Sequence, residues 1–420
     1  GLGRETLSDY EANLALQALD FSKGNLTDIG PQPFYILWTG VLFFVFETSN
    51  MLARLLPAIA GSALVLVPIL YRKFIGRNPS IILSFSLAVS PILVGASRQA
   101  DGLILSICFA LSAAGFLLNA APVAAGIFGG FALISGPNIW MIILILAVTF
   151  LWNRLIPIKE AITGEAGLNG PVLQMPAIKN LPWQKMLPWL VGTILFAGSC
   201  FFIQPAGLSA AASSIISFFS GWVETRTVGF SQIIIGLAGS ETLALTAWLW
   251  AMMGGWFLKK RVDRFLGRLL IVCLVLVMFY PGKHPIDLSL VIIPMWCLAS
   301  IQIERWFRII PGEKLPTLAL SIVIFILFVF GWMNIAGIPS VQNAGVETQL
   351  RWVSLAGTVV ISLLMSVLVA WGWSPEVGGF GLRTGILGFL VLFLVFNTWH
   401  STGLGRQPAA NPWRISPFHE

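Results

Sequence analysis

Long apolar runs, separated by short polar segments, fill most of the chain after residue 50. A helix that crosses a membrane needs on the order of 20 mostly apolar residues. The pattern therefore predicts about twelve transmembrane helices. They lie near residues 50–71, 79–96, 102–118, 120–135, 138–153, 186–203, 237–258, 267–280, 286–303, 316–334, 352–371 and 384–399.

The first 49 residues follow a different pattern. Ser8 precedes Glu11 by three positions and a helical apolar pattern follows, which predicts a helix that begins with a capping box. Residues 34–46 are apolar but too short to cross comfortably, so they predict an interfacial or partly buried helix. The small, Ser-rich and Ala-rich stretch 206–222 is a second segment of this kind.

Composition places the whole chain in a membrane. Apolar residues make up 57% of the 420 residues and charged residues only 10%, with a mean hydropathy of +0.86. A soluble domain carries about 25% charged residues because it must be wetted by water. The predicted fold class is therefore an all-α polytopic membrane protein. The four cysteines all lie in apolar runs without metal-type spacing and are interpreted as small buried residues.

The distribution of charge predicts an orientation. The net charge of +7 comes from short basic clusters between apolar runs, which argues against a nucleic-acid partner. If residues 1–49 lie outside, sixteen of the 25 basic residues fall in cytoplasmic loops and 12 of the 18 acids lie outside. We therefore expect an extracytoplasmic loop 1–49, a transmembrane domain 50–399 and an extracytoplasmic tail 400–420. Since no span in the sequence carries residue 1 outside, we also expect a preceding helix that is missing here.

Polar residues at the outer ends of the predicted spans are the candidates for chemistry, because ionisable groups near a membrane are costly. Asp9 and Glu11 open the first helix, where capping and the helix dipole would also explain them. Arg98 and Asp101 lie between two apolar runs and could form a local ion pair. Arg54, near the end of a span, could also extend its side chain to the membrane surface.

A fourth place is the hairpin of residues 280–287 between two spans. Turn geometry accounts for Pro281 and Gly282. It does not require Lys283, His284 and Asp287, which makes these three residues candidates for ligand contacts.

The order of these motifs over residues 8–118 resembles the GT-C glycosyltransferases, and within them the protein O-mannosyltransferase and lipid A aminoarabinose transferase group. The matching segments are Asp9-Tyr10-Glu11-Ala12, Pro31-Gln32-Pro33-Phe34, Arg54-Leu55-Leu56-Pro57, Arg72-Lys73, Ser90-Pro91, and Ser97-Arg98 with Asp101. The Lys283-His284 hairpin resembles a later loop of the family, in which a basic residue often faces the donor phosphate. Beyond residue 118 the resemblance is otherwise one of hydropathy.

The sequence departs from that family in two places. Tyr10 separates Asp9 from Glu11, whereas the family usually has adjacent acids. The family's first span, which precedes the acidic motif, is absent, in agreement with the missing helix inferred from charge. The 420 residues also show no sign of a large soluble C-terminal domain.

The resemblance implies inverting transfer of a sugar from a polyprenyl phosphate to a lipid, glycan or protein acceptor at the outer face of the plasma membrane. Asp9 or Glu11 would accept the proton of the acceptor. Arg54, Arg98, Lys283 and His284 would bind the substrate and its departing phosphate, and Asp101 would orient Arg98. A divalent metal bound by Asp9, Glu11 and a distant histidine is conceivable, although no ligand spacing demands it.

Two other classes of protein stay open at this stage. A lipid or solute transporter would carry charges or helix breaks in the middle of its spans, arranged in two related halves. Glu241 is the best candidate for such a charge, but it lies near an outer end and the sequence shows no convincing repeat. A non-catalytic subunit of a membrane complex is the third class, and the altered acidic motif keeps it open.

Overall fold

The computed structural model describes residues 2–3, 6–25, 29–156, 182–224, 229–253, 261–307, 312–336 and 346–402. Within these ranges every regular element is a helix and none is a β-strand. The all-α polytopic fold class predicted from the sequence is therefore confirmed. Beyond Thr402, the predicted tail 400–420 lies outside the described residues, and the predicted domain boundaries stay predictions.

The chain divides into two compact units. The first comprises Gly1–Ile301 with Asn397–Glu420, and the second comprises Gln302–Phe396. The described α-helices that begin in the first unit are α1 Asp9–Ser22, α2 Pro33–Phe46, α3 Asn50–Ala53, α4 Leu55–Leu64, α5 Arg72–Ile75, α6 Arg77–Ala88, α7 Pro91–Ser97, α8 Leu103–Leu118, α9 Pro122–Ile134, α10 Asn138–Leu155, α11 Trp183–Gly198, α12 Ala206–Ser220, α13 Phe230–Ser240, α14 Thr242–Met253, α15 Arg261–Phe279 and α16 Ser289–Phe307. Those that follow are α17 Lys314–Ala336, α18 Val346–Gly372 and α19 Pro375–Ser401.

Over the residues that the structure describes, each of the twelve predicted spans coincides with one helix or with consecutive helices separated by a break. Six helical segments among the described residues are long and apolar enough to cross a membrane, and the bent pair α6–α7 would make a seventh. Helices such as α8 and α9 are shorter because a turn at Asn119–Ala121 separates them. The chain is thus a multi-pass membrane protein, while the number of twelve spans stays a prediction.

The amino-terminal helices α1 and α2 pack closely on each other. Gly40 of α2 permits this, because a Cβ atom at that position would lie 2.5 Å from Phe21 Cδ1 and 2.8 Å from the Ala18 carbonyl oxygen. The first half of α2 is buried, and its last residues, Phe44–Phe46, are exposed. The short, partly buried helix predicted at residues 34–46 is therefore confirmed.

Two interruptions of the helices, one between α3 and α4 and one between α6 and α7, determine the positions of charged residues. Arg54 is the junction between α3 and α4. The bend between α6 and α7 is 59°, and it occurs where Ser90 caps α7 by accepting a hydrogen bond from Leu93 N while Pro91 occupies the first helical position. Arg98 follows α7 directly, so this bend determines where the segment from Arg98 to Asp101 lies.

Helix α8 forms the centre of the first unit. Its first turns, from Leu103 to Cys108, are completely buried, and it packs against α9 and α4. Helix α9 packs in turn on α11. In the second unit α17 packs against α18, and α19 contributes aromatic contacts to α17 such as Phe389 with Phe328.

Candidate active site

Helix α1 begins with the capping box predicted from the sequence. Ser8 Oγ accepts a hydrogen bond from Glu11 N, and the Glu11 carboxylate accepts one from Ser8 N at 2.9 Å. The box satisfies two backbone donors at the start of the helix. It also fixes the direction in which the Asp9 and Glu11 side chains leave the helix.

Capping is only part of what Glu11 does, because its carboxylate also pairs with Arg54. Arg54 Nε donates to Glu11 Oε1 at 3.0 Å and Arg54 Nη2 donates to Oε2 at 2.9 Å. Only 4% of the surface of Glu11 and 5% of that of Arg54 are exposed. Arg54 donates further to the carbonyl oxygens of Leu2 and Thr6, each at 3.1 Å. The alternative interpretation, in which Arg54 extends to the membrane surface, is wrong.

The Glu11 carboxylate reaches a third element as well, since Ala100 N donates to Oε1 at 2.8 Å. One buried carboxylate thereby connects α1, the α3–α4 junction and the turn after α7. Burial by itself would raise the pKa of Glu11, but the hydrogen bonds from Arg54, Ser8 and Ala100 outweigh it and lower the pKa below its ordinary value. Glu11 is therefore ionised, and both of its carboxylate oxygens already accept hydrogen bonds.

Asp9 has the opposite environment. Its side chain is exposed and lines the same cavity as Glu11, and among the described residues no donor or cation contacts its carboxylate. A carboxylate in this state can accept a proton or a hydrogen bond from a ligand in the cavity.

Asp101 is held by a network of neutral groups. Its Oδ1 accepts hydrogen bonds from Gln32 Nε2 at 2.7 Å, Gly102 N at 2.7 Å and the Tyr10 hydroxyl at 3.3 Å. Burial raises the pKa of Asp101, and the hydrogen bonds from Gln32 and Gly102 oppose that shift. Arg98 is not among these partners of the Asp101 carboxylate, so the expectation that Asp101 orients Arg98 gains no support from them and stays a prediction.

The hairpin after α15 separates its two basic residues. Lys283 is 1% exposed and its Nζ donates to the Met278 carbonyl oxygen at 2.6 Å. His284 is exposed, its backbone N–H donates to Asp287 Oδ2 at 2.8 Å, and its ring centroid lies 5.5 Å from that of Tyr10. Lys283 therefore holds the backbone at the start of the hairpin through Met278, and His284 lies beside Tyr10 of α1.

These elements enclose a cavity of about 880 Å³. Lys283 is not among the lining residues, but the other seven of the eight candidates singled out in the sequence line the cavity: Asp9, Glu11, Arg54, Arg98, Asp101, His284 and Asp287. The structure thus brings together residues that lie as far apart in the chain as Asp9 and His284.

Several other lining residues escaped the sequence analysis. Amide side chains contribute much of the polar wall, and they are Asn13, Gln17, Gln32, Gln99 and Asn138. Gln32 stands between two prolines at the start of an apolar helix, which is a signal that could have identified it. Tyr280, which begins the hairpin of residues 280–287, and Glu224 line the cavity as well. Nothing in the local sequence of Glu224 distinguishes it from a loop residue.

The described residues contain no group of three or more His, Cys, Asp or Glu side chains that could hold a metal ion. The ligand set imagined for a divalent metal, Asp9 and Glu11 with a histidine, is thus not assembled in this part of the chain. Glu11 in particular already accepts hydrogen bonds on both oxygens.

Glu241, the candidate charge for a transporter, lies outside this cavity. It is completely buried between α13 and α14, where it accepts hydrogen bonds from Ser90 Oγ, from Ile92 N at 3.4 Å and from Trp296 Nε1 at 2.9 Å. These donors come from the α6–α7 bend and from α16. The carboxylate therefore connects three helical elements of the first unit.

No protein-family model matches the chain, and no curated protein matches it either. Solved structures do match nearly all of it. ArnT from Cupriavidus metallidurans bound to undecaprenyl phosphate has a TM-score of 0.53 at 14% identity, over 96% of this chain and 75% of that one. The apo state of the same enzyme has a TM-score of 0.51 at 18% identity, over 94% and 74% of the two chains.

The archaeal oligosaccharyltransferase AglB from Archaeoglobus fulgidus, in complex with an inhibitory peptide and a dolichol-phosphate, is more distant. Its TM-score is 0.46 at 13% identity, over 93% of this chain and 52% of that one, which is too low to support an argument. The two ArnT matches suffice for the fold, because each spans both units of the chain. The chain therefore shares the fold of the two ArnT structures, and a fold of this kind is what the order of its motifs predicted.

Proposed function

We propose that this protein is an inverting glycosyltransferase that uses a polyprenyl-phosphate sugar as donor at the extracytoplasmic face of the plasma membrane. The oxygen of an acceptor hydroxyl attacks the anomeric carbon of the sugar. The bond from that carbon to the phosphate oxygen breaks, its electron pair stays on the phosphate, and the hydroxyl proton passes to a carboxylate. The products are the glycosylated acceptor and the polyprenyl phosphate.

The observation that carries this proposal is the juxtaposition of Asp9 and Arg98 in one cavity of a GT-C-like fold. A base that takes the acceptor proton must be accessible to the acceptor. Asp9 is exposed in the cavity wall, whereas both oxygens of Glu11 accept hydrogen bonds from Arg54. We therefore assign the base to Asp9 and a positioning role to Glu11.

The departing phosphate needs cations or hydrogen-bond donors where its charge develops. Arg98 and His284 line the cavity and are assigned this role. Arg54 is charge-balanced by Glu11 and acts through the turn that Glu11 holds at Ala100. Lys283 donates to the carbonyl of Met278 and stabilises the hairpin that carries His284.

The donor is proposed to be a lipid because the site belongs to a multi-pass membrane protein. The ArnT structure matched over 96% of this chain contains undecaprenyl phosphate, and the same class of lipid is the donor carrier proposed here. The acceptor is a lipid, a glycan or a protein presented outside the membrane, and partner membrane subunits would present it or extend the site.

The decisive experiment measures transfer from radiolabelled undecaprenyl-phosphate sugars in membranes that contain the protein. Asp9→Asn should lower the rate about 100-fold or more, the usual contribution of a general base. Asp20→Asn, on the same helix and outside the cavity, is the matched control and should leave the rate unchanged. Glu11→Gln should impair the rate together with thermal stability, because it disrupts the buried pair.

Absence of transfer by the wild-type protein from every donor would favour the non-catalytic subunit. Equal rates for wild type and Asp9→Asn would remove Asp9 from the mechanism. The hydrogen bonds of Glu241 support a structural carboxylate, and they give no reason to prefer transport.

A further inference from the structure

Tyr10, which separates the two acids, has an unusual combination of anchorage and exposure. Its hydroxyl accepts a hydrogen bond from Gln32 Nε2 at 2.9 Å and donates to Asp101 Oδ1 at 3.3 Å. Yet 46% of the residue's surface stays exposed, and the residue lines the cavity next to Asp9. A large aromatic side chain is thus held by its polar end in a residue that is partly exposed and lines the cavity.

The groups that anchor the hydroxyl are themselves fixed. Gln32 Nε2 also donates to Asp101 Oδ1 at 2.7 Å, and Gln32 Oε1 accepts from Gly102 N at 2.8 Å. His284 lies beside the ring, with the two ring planes inclined by 32°. The orientation of Tyr10 is therefore set before any ligand enters, and a ligand that packs on it does not have to order the side chain.

We infer that the Tyr10 ring is the surface on which the sugar ring of the donor stacks, an inference that rests on the proposed function. A sugar ring has hydroxyls at its edge and C–H groups on its faces, and these C–H groups carry a small positive charge. The face of an aromatic ring is negative and attracts such groups. The attraction increases as the anomeric carbon becomes cationic in the transition state.

The surroundings of Tyr10 favour a sugar over the polyprenyl tail as the group that packs there. The same cavity is lined by the amides of Asn13, Gln99 and Asn138, which can hydrogen-bond to hydroxyl groups. An isoprenoid chain in the same place would leave these amides without partners, at a cost in free energy. The position of Tyr10, directly after Asp9 in the helix, also places the stacked sugar near the proposed base.

The test compares binding of lipids with and without a sugar to the purified full chain in nanodiscs. The probes are undecaprenyl phosphate and its mannosyl, glucosyl, galactosyl and arabinosyl esters. The wild-type protein should bind at least one ester more tightly than the bare phosphate lipid. Tyr10→Leu should weaken binding of that ester about 3- to 10-fold, the usual range for an aromatic contact, and change binding of undecaprenyl phosphate by less than about 2-fold.

Two further variants control the experiment. Tyr10→Phe retains the ring, so it should retain most of the preference for the ester. Phe44→Leu removes an exposed aromatic ring that does not line the cavity and should change neither affinity. Size-exclusion profiles and melting temperatures establish that each variant is folded.

The inference is overturned if Tyr10→Leu weakens binding of both lipids equally, if it leaves the preference for the ester intact, or if the wild type shows no such preference. The proposed reaction is judged separately by turnover with the same esters. A Tyr10-dependent preference for an ester without turnover would refute the reaction and retain the sugar-binding surface. Turnover of an ester without a Tyr10-dependent preference in binding would support the reaction and refute the sugar-binding surface.

Discussion

Glu11 and Arg54, which lie 43 positions apart in the chain, form a buried ion pair joined by two hydrogen bonds of 3.0 and 2.9 Å. The pair connects the first turn of α1 to the junction of α3 and α4. Through Ala100 N it also holds the turn that carries Arg98 and Asp101. The geometry of the proposed site thus depends on a carboxylate to which we assign a positioning role.

Removing one partner of this pair should destabilise the protein strongly. Arg54→Met leaves the Glu11 carboxylate buried without its counter-ion, and such changes cost about 3–5 kcal/mol. We expect a clear fall in the melting temperature measured in detergent. The double variant Glu11→Met with Arg54→Met removes both charges and should recover part of the loss. A double variant that is less stable than both single variants would contradict this account.

The stability supplied by Glu11 should depend on pH in one direction. Its pKa is lower in the folded protein than its ordinary value of 4.5, so its contribution is complete above that pH. The contribution is lost as the pH falls through the lower folded pKa. The difference in melting temperature between wild type and Glu11→Gln should therefore be constant from pH 7 to about pH 5 and shrink below about pH 4. A difference that grows on acidification would contradict the assigned shift.

The turn after α7 tolerates no side chain at Gly102. A Cβ atom there would lie 2.2 Å from the Ser135 carbonyl oxygen and 3.0 Å from Gln32 Oε1. Gly102→Ala should cost about 1–3 kcal/mol of stability and lower glycosyl transfer, because it displaces Asp101 from Gln32. Gly192→Ala is the control: it lies in helix α11 with nothing within 4 Å of the added Cβ, and it should be neutral or slightly stabilising. Equal melting temperatures for the two variants would show that the turn can adjust.

Arg98 and Lys283 should behave differently although both are basic. Arg98→Met removes a cavity-lining cation and should raise KM for the lipid donor about 10- to 100-fold, as expected for a charge-assisted hydrogen bond. Lys283→Met removes a donor to the Met278 carbonyl and should lower the melting temperature with a smaller effect on KM. Donor titration and thermal melting of both variants distinguish the two roles. The reverse assignment would follow if Lys283→Met gave the larger rise in KM.

Glu241 should matter for stability through its three donors. In Glu241→Gln one end of the side chain becomes a donor, and it then faces Trp296 Nε1 or Ile92 N, which can only donate. We expect a loss of about 1–3 kcal/mol. Adding Trp296→Phe removes one of the opposed donors, so the two changes should be less than additive in a double-mutant cycle of melting free energies. Strict additivity would argue against the contact.

Some of these features follow directly from the sequence. The membrane class, the positions of the helices and the start of α1 at Ser8 could all be predicted, because hydropathy and capping depend on residues within one helix or one turn. The order of motifs also predicted the kind of fold that the chain shares with the ArnT structures. The identity of the free acid could not be predicted, since Asp9 and Glu11 are both acids in the first turn of α1. Their different states arise from residues 43 and 89 positions further along the chain.

Lys283 and Tyr10 show the same difference between what the sequence predicts and what the tertiary structure decides. In the sequence Lys283 is a basic residue beside His284, and only the packing of the hairpin directs its amine to the Met278 carbonyl. Tyr10 is an interruption of an acidic motif in the sequence. Only contacts with Gln32, which precedes α2, and with Asp101, in the turn before α8, make it an anchored residue of the cavity wall. The sequence by itself determined which segments are apolar enough to cross a membrane and where helices begin, because these are local consequences of hydropathy and backbone hydrogen bonding. The tertiary structure decided which charges are neutralised and which remain available to a ligand, because that depends on partners contributed by distant segments.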